Sequence, residues 1–229
     1  MKKKIACFIP AKGSSTRLPG KNNKNLLGKP MVQYVIEAAK EAQLFDAEIY
    51  LSTESQEIQK IALSLGINAN ELRPAALSKD PYGIKDVLFN FLNQNSFTEE
   101  WSTIVILLPT SPLLTSEDIQ KAVKEFESLE NSTLLSVTET DHNAYRSLEI
   151  KNECIAPIFP QKIKKRTQEL SPTYRINGAM IIIDRVHFLE HKDFFSPDTL
   201  AYIMPKERSI DVDTAFDFAL AEILLKNKK

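Results

Sequence analysis

Near the start of the chain an apolar run gives way to Ala11-Lys-Gly-Ser-Ser-Thr-Arg-Leu-Pro-Gly-Lys-Asn-Asn-Lys-Asn, which gathers Lys12, Arg17, Lys21 and Lys24 with two glycines and the adjacent hydroxyls of Ser14, Ser15 and Thr16. A polyanion fits this set. Gly13 and Gly20 let the backbone approach phosphate oxygens, successive N–H groups form an anion nest, and the cations neutralise charge. The spacing excludes the common phosphate loops. Six residues separate Gly13 from Gly20 where a P-loop has four, Asn22 follows Lys21 where that loop needs Ser or Thr, and no Gly-x-Gly-x-x-Gly is present.

A second candidate lies near the other end, in Ser209-Ile-Asp-Val-Asp-Thr. Side chains two apart on an extended segment face the same way, so Asp211 and Asp213 converge. Two carboxylates beside a phosphate make a Mg²⁺ site, because that ion takes one or two protein carboxylates and completes its shell with phosphate oxygens and water. Thr214 or Asp213 suits the N-cap of the helix that follows. Lys21 reads as a surface cation whose loss would cost rate and little stability. His187 and His191 are spaced i, i+4, but no third ligand is near in sequence, so they read as surface residues.

These groups need elements to hold them. Residues 5–10 form a continuous apolar run of strand length. Behind Pro30, Met31, Val32, Val35, Ile36, Ala39 and Ala42 recur at helical spacing. Residues 48–52 give a second strand, and Ile58, Ile61, Ala62 and Leu65 a helix stopped at Gly66. Ile84, Val87, Leu88, Phe91 and Leu92 mark a third helix, 103–108 a third strand, Ile119, Val123, Phe126 and Leu129 a fourth helix, and 133–137 a fourth strand. Strands alternating with helices give an α/β fold with a mainly parallel sheet covered on both faces. From 141 to 178 the rhythm changes to short strand-like pieces, an inserted β-rich excursion suited to a dimer arm. Residues 179–183 return as a buried strand. Phe216, Ala219, Leu220, Ile223 and Leu224 put an apolar face on a closing helix before a Lys226-Asn-Lys-Lys tail.

The whole, 1–229, reads as one domain. Lys plus Arg number 29 and Asp plus Glu 30, a formal charge of −1 that excludes a polybasic nucleic-acid surface. Only Cys7 and Cys154 are present, so neither a disulfide framework nor a Cys-based zinc site can form, and the reducing cytoplasm is the expected compartment. The basic start followed by residues 5–9 is too short an apolar run for a signal peptide, and no stretch approaches the ~18 residues of a membrane span. In open sheets of this class ligands sit beyond the carboxyl ends of the strands, where the unusual segments fall.

Ile9-Pro-Ala-Lys-Gly-Ser-Ser-Thr-Arg-Leu-Pro-Gly-Lys-Asn resembles the nucleotide-binding motif of the cytidylyltransferases that activate sialic acid and related nine-carbon sugar acids. Its Ser-Thr-Arg-Leu-Pro-Gly-Lys is also similar to the enzyme that activates the eight-carbon acid Kdo. Further segments resemble the first family in order. They are Leu72-Arg-Pro-Ala-Ala-Leu-Ser-Lys-Asp, Leu107-Leu-Pro-Thr-Ser-Pro-Leu-Leu-Thr, Lys165-Arg-Thr-Gln-Glu-Leu followed by Tyr174-Arg-Ile-Asn-Gly-Ala, and Ser209-Ile-Asp-Val-Asp-Thr. Leu108 stands where the family has a sugar-contacting glutamine and Leu114 where it has arginine.

The resemblance implies a Rossmann-like sheet, a homodimer with an exchanged β arm, Mg²⁺, and transfer of CMP from CTP to a nonulosonic acid with loss of pyrophosphate. It implies nucleotide contacts at Ala11, Lys12, Gly13, Ser14, Lys21, Asn22, Arg73 and Asp80, with Arg73 helping to hold the cytosine. Acceptor contacts fall at Thr110, Ser111, Arg166, Gln168, Arg175 and Asn177, catalytic roles on Arg17, Lys21 and Asp211, and the metal on Asp211 and Asp213. Arg166 and Arg175 are planar forks suited to the acceptor's carboxylate. Two alternatives stay open: a Kdo-type cytidylyltransferase, and a nucleotide-sugar-binding protein without catalysis.

Overall fold

The computed structural model describes the chain except for residues 1–3, 46–47, 130 and 228–229. The basic residues before the first strand and the last two lysines of the tail therefore lie outside the described residues. In chain order the elements are β1 (Lys4–Pro10), the short β2 (Asn25–Leu26) and β3 (Lys29–Pro30), α1 (Met31–Glu41), β4 (Ile49–Ser52), α2 (Gln56–Ser64), α3 (Ile84–Gln94), β5 (Trp101–Leu107) and α4 (Ser116–Ser128). Then come β6 (Thr133–Glu139), β7 (Leu148–Lys151), β8 (Cys154–Pro157), β9 (Tyr174–Asp184), α5 (Arg185–His191), β10 (Leu200–Ile203) and α6 (Ala215–Asn227).

Six strands form one sheet in the order β10-β6-β9-β5-β1-β4. β1 pairs parallel with β4 and β5, and β6 with β10, while β9 runs antiparallel between β5 and β6. The α/β class and mainly parallel sheet expected from the sequence are what the chain adopts. Alternation along β1 sends Cys7 and Ile9 to one face and Ala6 and Phe8 to the other, and each face meets its own helices. On the first, Val35 and Ile36 of α1, Ile58 of α2 and Val123 of α4 close the core; on the second, Leu88 of α3 and Phe188 of α5 do so. Phe8 is fully buried, a side chain worth about 3 kcal/mol by area, and sits 5.0 Å from Phe91.

Three elements differ from the sequence pattern. β10 is not announced because it is an edge strand, with Ile203 56% exposed, and so lacks a buried run. β9 extends back to Tyr174, where it pairs with Glu139 of β6, so the excursion from the sheet occupies 140–173 and holds the β7–β8 hairpin. α6 turns a different face inward. It buries Phe218 and Ala221 and leaves Phe216 76% and Ile223 55% exposed. Apolar residues surround α6, so periodicity could not choose a direction; the choice falls to Phe218, which enters a socket of Leu18, Leu26, Met31 and Val212.

Register sets where the chemistry can sit. Pro10 pairs with Ser52 and Leu107 with Met180, so the carboxyl ends of β1, β4 and β5 open on one edge, and the reversed β9 brings Gly178 to that same edge. No helix among the described residues is long and apolar enough to cross a membrane.

Candidate functional site

The loop after β1 leaves the sheet beside β4, held by the Ala11 N–H donating to Ser52 O at 2.9 Å. Ala11 itself is fully buried. Asn22 folds the loop back on itself, its Nδ2 donating to Lys12 O at 2.8 Å, while its Oδ1 is buried without a hydrogen-bond partner. Gly20 takes a φ of +63°, which favours glycine at the turn that delivers Lys21.

Lys21 differs from the sequence expectation of a surface cation. It is 7% exposed, and its Nζ donates to Val212 O at 2.9 Å and to Asp213 Oδ1 at 2.7 Å. Arg17, mostly in solvent, meets the other oxygen of Asp213 at 2.7 Å. The segment carrying both aspartates crosses the strand ends because the Val212 N–H donates to Thr110 O at 2.7 Å. Thr214 is the cap of α6, exchanging hydrogen bonds with Asp217, which leaves Asp213 to the two cations.

Asp211 faces Thr110 and Gly178. Burial pushes its carboxyl above the usual carboxylate range and the charge of Asp213 adds to this, against the Thr110 hydrogen bond and the charges of Lys21 and Arg17. A Cβ on residue 178, at φ +70°, would come within 2.9 Å of Asp211 Oδ2, so only glycine allows this approach.

A cleft of about 250 Å³ opens beside these groups. Lys12, Lys21, Asn22 and Thr110 lie along one part, Arg73, Ser78 and Asp80 along another, and Leu77, Tyr82, Ile84, Val87 and Leu108 supply an apolar wall. The expected nucleotide residues Lys12, Lys21, Asn22, Arg73 and Asp80 are thus brought together with Thr110.

Several expected contacts are placed otherwise. Gly13 and Ser14 direct their N–H groups at the Glu54 carboxylate, at 2.8 and 3.2 Å, and not at open space. Arg73 spends its guanidinium on Ser52 O, Glu54 and Ser78 Oγ, so it braces the cleft from within. Ser111 is fully buried and donates to Gly178 O at 3.1 Å. Asn177 is also fully buried, its Oδ1 accepting from Ser136 Oγ at 2.6 Å and its Nδ2 donating to Ser209 Oγ at 2.9 Å. Both polar groups are engaged by the protein's own atoms beneath the strand ends and lie outside the lining of the cleft. Arg175 reaches Ser209 O at 3.1 Å, whereas Arg166 and Gln168 stand exposed on the excursion, outside the lining of the cleft.

Sequence reasoning missed Glu54, Ser78 and, apart from Leu108, the apolar wall. The signal for Glu54 is its place just beyond the carboxyl end of β4, the same rule that points to the other segments. Among the described residues no group of three or more His, Cys, Asp or Glu is arranged for a metal ion.

Comparison with known proteins gives a consistent result. Residues 6–227 match the family described as Cytidylyltransferase. The chain is 37% identical over 218 residues to N-acylneuraminate cytidylyltransferase of Streptococcus agalactiae serotype III, covering 94% of this chain and 52% of that protein, so it spans about half the length of that relative. It is 31% identical over 225 residues to pseudaminic acid cytidylyltransferase of Campylobacter jejuni, with 97% of each covered. The solved structure of a CMP:2-keto-3-deoxy-manno-octonic acid synthetase complexed with CTP superposes with a TM-score of 0.74 over 99% of this chain and 100% of that one, at 15% identity, and speaks for the fold.

Proposed function

The chain belongs to the cytidylyltransferase family, and from that premise we propose that it transfers CMP from CTP to a nonulosonic acid and releases pyrophosphate. The observation that carries this reading is the junction of the basic loop with the Asp211–Asp213 segment, where Lys21 is buried against Val212 and Asp213 at the mouth of the cleft. In this reading the base lies against Leu77, Tyr82, Ile84 and Val87, with Asp80 able to accept from an exocyclic amine. Lys12, Arg17 and Lys21 neutralise the triphosphate. The acceptor's anomeric hydroxyl attacks the α-phosphorus in line, forming the new O–P bond as the bond to the β-phosphate breaks. Such a displacement depends on positioning and charge neutralisation more than on covalent help from the protein.

The donor set suits magnesium. Asp211 and Asp213 are hard oxygen ligands close enough to feel one another's charge, and phosphate oxygens would complete the shell once Asp213 yields a contact now made by Lys21 or Arg17. Bound there, the ion would polarise the phosphoryl group and lower the pKa of the attacking hydroxyl. Arg175, tied to Ser209 O at 3.1 Å, is the arginine this reading assigns to the acceptor's carboxylate. A homodimer is part of this reading, supported by the hairpin's exposed Ile150 and Ile155, 79% and 68% accessible. The two free cysteines suit the cytoplasm.

The test is turnover of CTP with magnesium and, in turn, N-acetylneuraminate, pseudaminate, legionaminate and Kdo, followed as pyrophosphate release and as the CMP-sugar. Product is expected with at least one nine-carbon acid. Release with Kdo alone would replace the acceptor class, and CTP binding without turnover of any acid would leave a binding protein.

A further inference from the structure

We infer that Glu54 is a positioning residue, the joint through which the loop after β1 and the Arg73 segment are set relative to one another; this rests on the nucleotide reading of the cleft. Glu54 lies two residues beyond the end of β4, and its two carboxylate oxygens serve different parts of the chain. Oε1 accepts from the Gly13 N–H at 2.8 Å, the Ser14 N–H at 3.2 Å and Ser14 Oγ at 3.4 Å. Oε2 accepts from Arg73 NH2 at 3.0 Å and Ser78 Oγ at 2.6 Å. Arg73 is fixed in turn to Ser52 O at 2.9 Å, so the joint is tied to the sheet.

A carboxylate in an anion nest is either a plug that a phosphate displaces or a permanent strut. Burial favours the strut. The Glu54 and Arg73 side chains are 13% and 7% exposed, and withdrawing Glu54 would leave a buried guanidinium without its counter-ion, which is costly. Although burial alone would raise the carboxyl, hydrogen bonds from Ser78 and from the backbone, with the charge of Arg73, hold it below the usual range, so it is ionised at neutral pH. The fit leaves no slack on the other side, because a Cβ on residue 13 would fall 2.8 Å from Ser55 Cβ. The Gly13 and Ser14 N–H groups therefore set the height of the loop, and its cations meet the phosphates. Lys21 is anchored separately, by Val212 and Asp213, so loss of the joint should disturb nucleotide capture more than the reacting centre.

Glu54→Gln in the full chain tests this, since whichever way the amide turns, one of the two donor sets loses its acceptor. CTP and CMP binding by calorimetry and steady-state kinetics are the readouts. The expected result is a CTP KM raised tenfold or more, kcat and the acceptor KM within threefold of wild type, and a CTP Kd that rises more than the CMP Kd. Glu54→Asp keeps the charge one methylene short and should shift the CTP KM in the same direction by less. Ser78→Ala, which removes the 2.6 Å hydrogen bond to Glu54 and the two that Ser78 Oγ accepts from Arg73 but leaves the Glu54–Arg73 ion pair in place, should raise it about threefold and covers the case in which Glu54→Gln does not fold. Tighter CTP binding in Glu54→Gln would make the carboxylate a plug and overturn the proposal. So would an unchanged CTP KM in a folded variant, or a parallel loss in kcat and both KM values. Wild-type protein that neither binds CTP nor releases pyrophosphate overturns the nucleotide reading itself, whereas wild-type turnover with an indifferent Glu54→Gln overturns this inference alone.

Discussion

Lys21 reaches a buried carbonyl and a carboxylate that a surface lysine would lack, and both should be felt when it is removed. Lys21→Ala is expected to lose on the order of 10²-fold or more in rate, as charge stabilisation at a transferring phosphoryl group is lost. It should also lose about 1–2 kcal/mol of stability, because Val212 O is left without its donor and Asp213 keeps only Arg17. At this chain length that lowers Tm by roughly 2–8 °C, readable by calorimetry, and an unchanged Tm would return Lys21 to the solvated role its sequence suggests. Leu108 is a different case, an apolar side chain on the cleft wall, and on the proposed function it is the residue that would meet the sugar or its amide. A polar group desolvated against it loses about 1–3 kcal/mol. The preferred acceptor should then present a deoxygenated or methyl-bearing position there, and Leu108→Gln should move preference toward N-acetylneuraminate by roughly tenfold. Competition between the acids for limiting CTP checks this; an unmoved ratio means that Leu108 does not face the sugar.

At the scale of elements, the closing segment is tied to the start of α4. Asp118 caps α4 with Thr115 and takes a two-pronged contact from Arg208, at 2.9 and 2.7 Å, while only 1% exposed. Burial on its own would raise the Asp118 carboxyl, but the hydrogen bonds from Arg208 and Thr115 and the charge of Arg208 outweigh it and hold it low. A depressed carboxylate contributes stability above its unfolded value, ordinarily near ~3.9, and loses it as pH falls through the lower folded value. Asp118→Asn should therefore cost about 2 kcal/mol at pH 7, below the cost of breaking a fully buried pair because the Arg208 side chain is 31% exposed. Its deficit in Tm should close as the pH is taken down through that window; a deficit constant with pH would assign the loss to packing. The elements themselves were legible where one physical cause acted alone. β1, β5 and the inner half of β9 are buried on both faces and read as apolar runs, and α1 through α4 each carry one apolar stripe. β10 and the facing of α6 were not legible, since an edge strand and a helix apolar all round hold no directional pattern. At the site, charge and glycine spacing revealed Lys21 and Asp213, but no spacing rule says that Asn177 and Ser111 lie beneath the surface. That follows only from β9 running backwards between β5 and β6.

For the molecule as a whole, the β7–β8 hairpin carries apolar side chains into solvent on a segment held mainly by its own turn. Covering Ile150 and Ile155 with a second copy would remove that exposure. Ile150→Asp is expected to shift the mass by light scattering from two chains to one while leaving the circular dichroism of the sheet unchanged; a wild type that is already monomeric at micromolar concentration would remove the dimer from the reading. The placement of β9 bears on how the chain is made. β5 and β6 are neighbours in sequence but never touch as partners, because the slot between them is kept for a strand that leaves the ribosome more than thirty residues after β6. Until it arrives, each presents an unpaired apolar edge, the kind of template that recruits other chains. Late insertion at high contact order makes this step slow relative to the local βαβ units before it. The nascent protein is therefore exposed to mispairing along these two edges for the whole time that the excursion is being synthesised, and the strand that brings Gly178 to Asp211 is also the one that joins the two halves of the sheet, before β10 covers the outer side of β6.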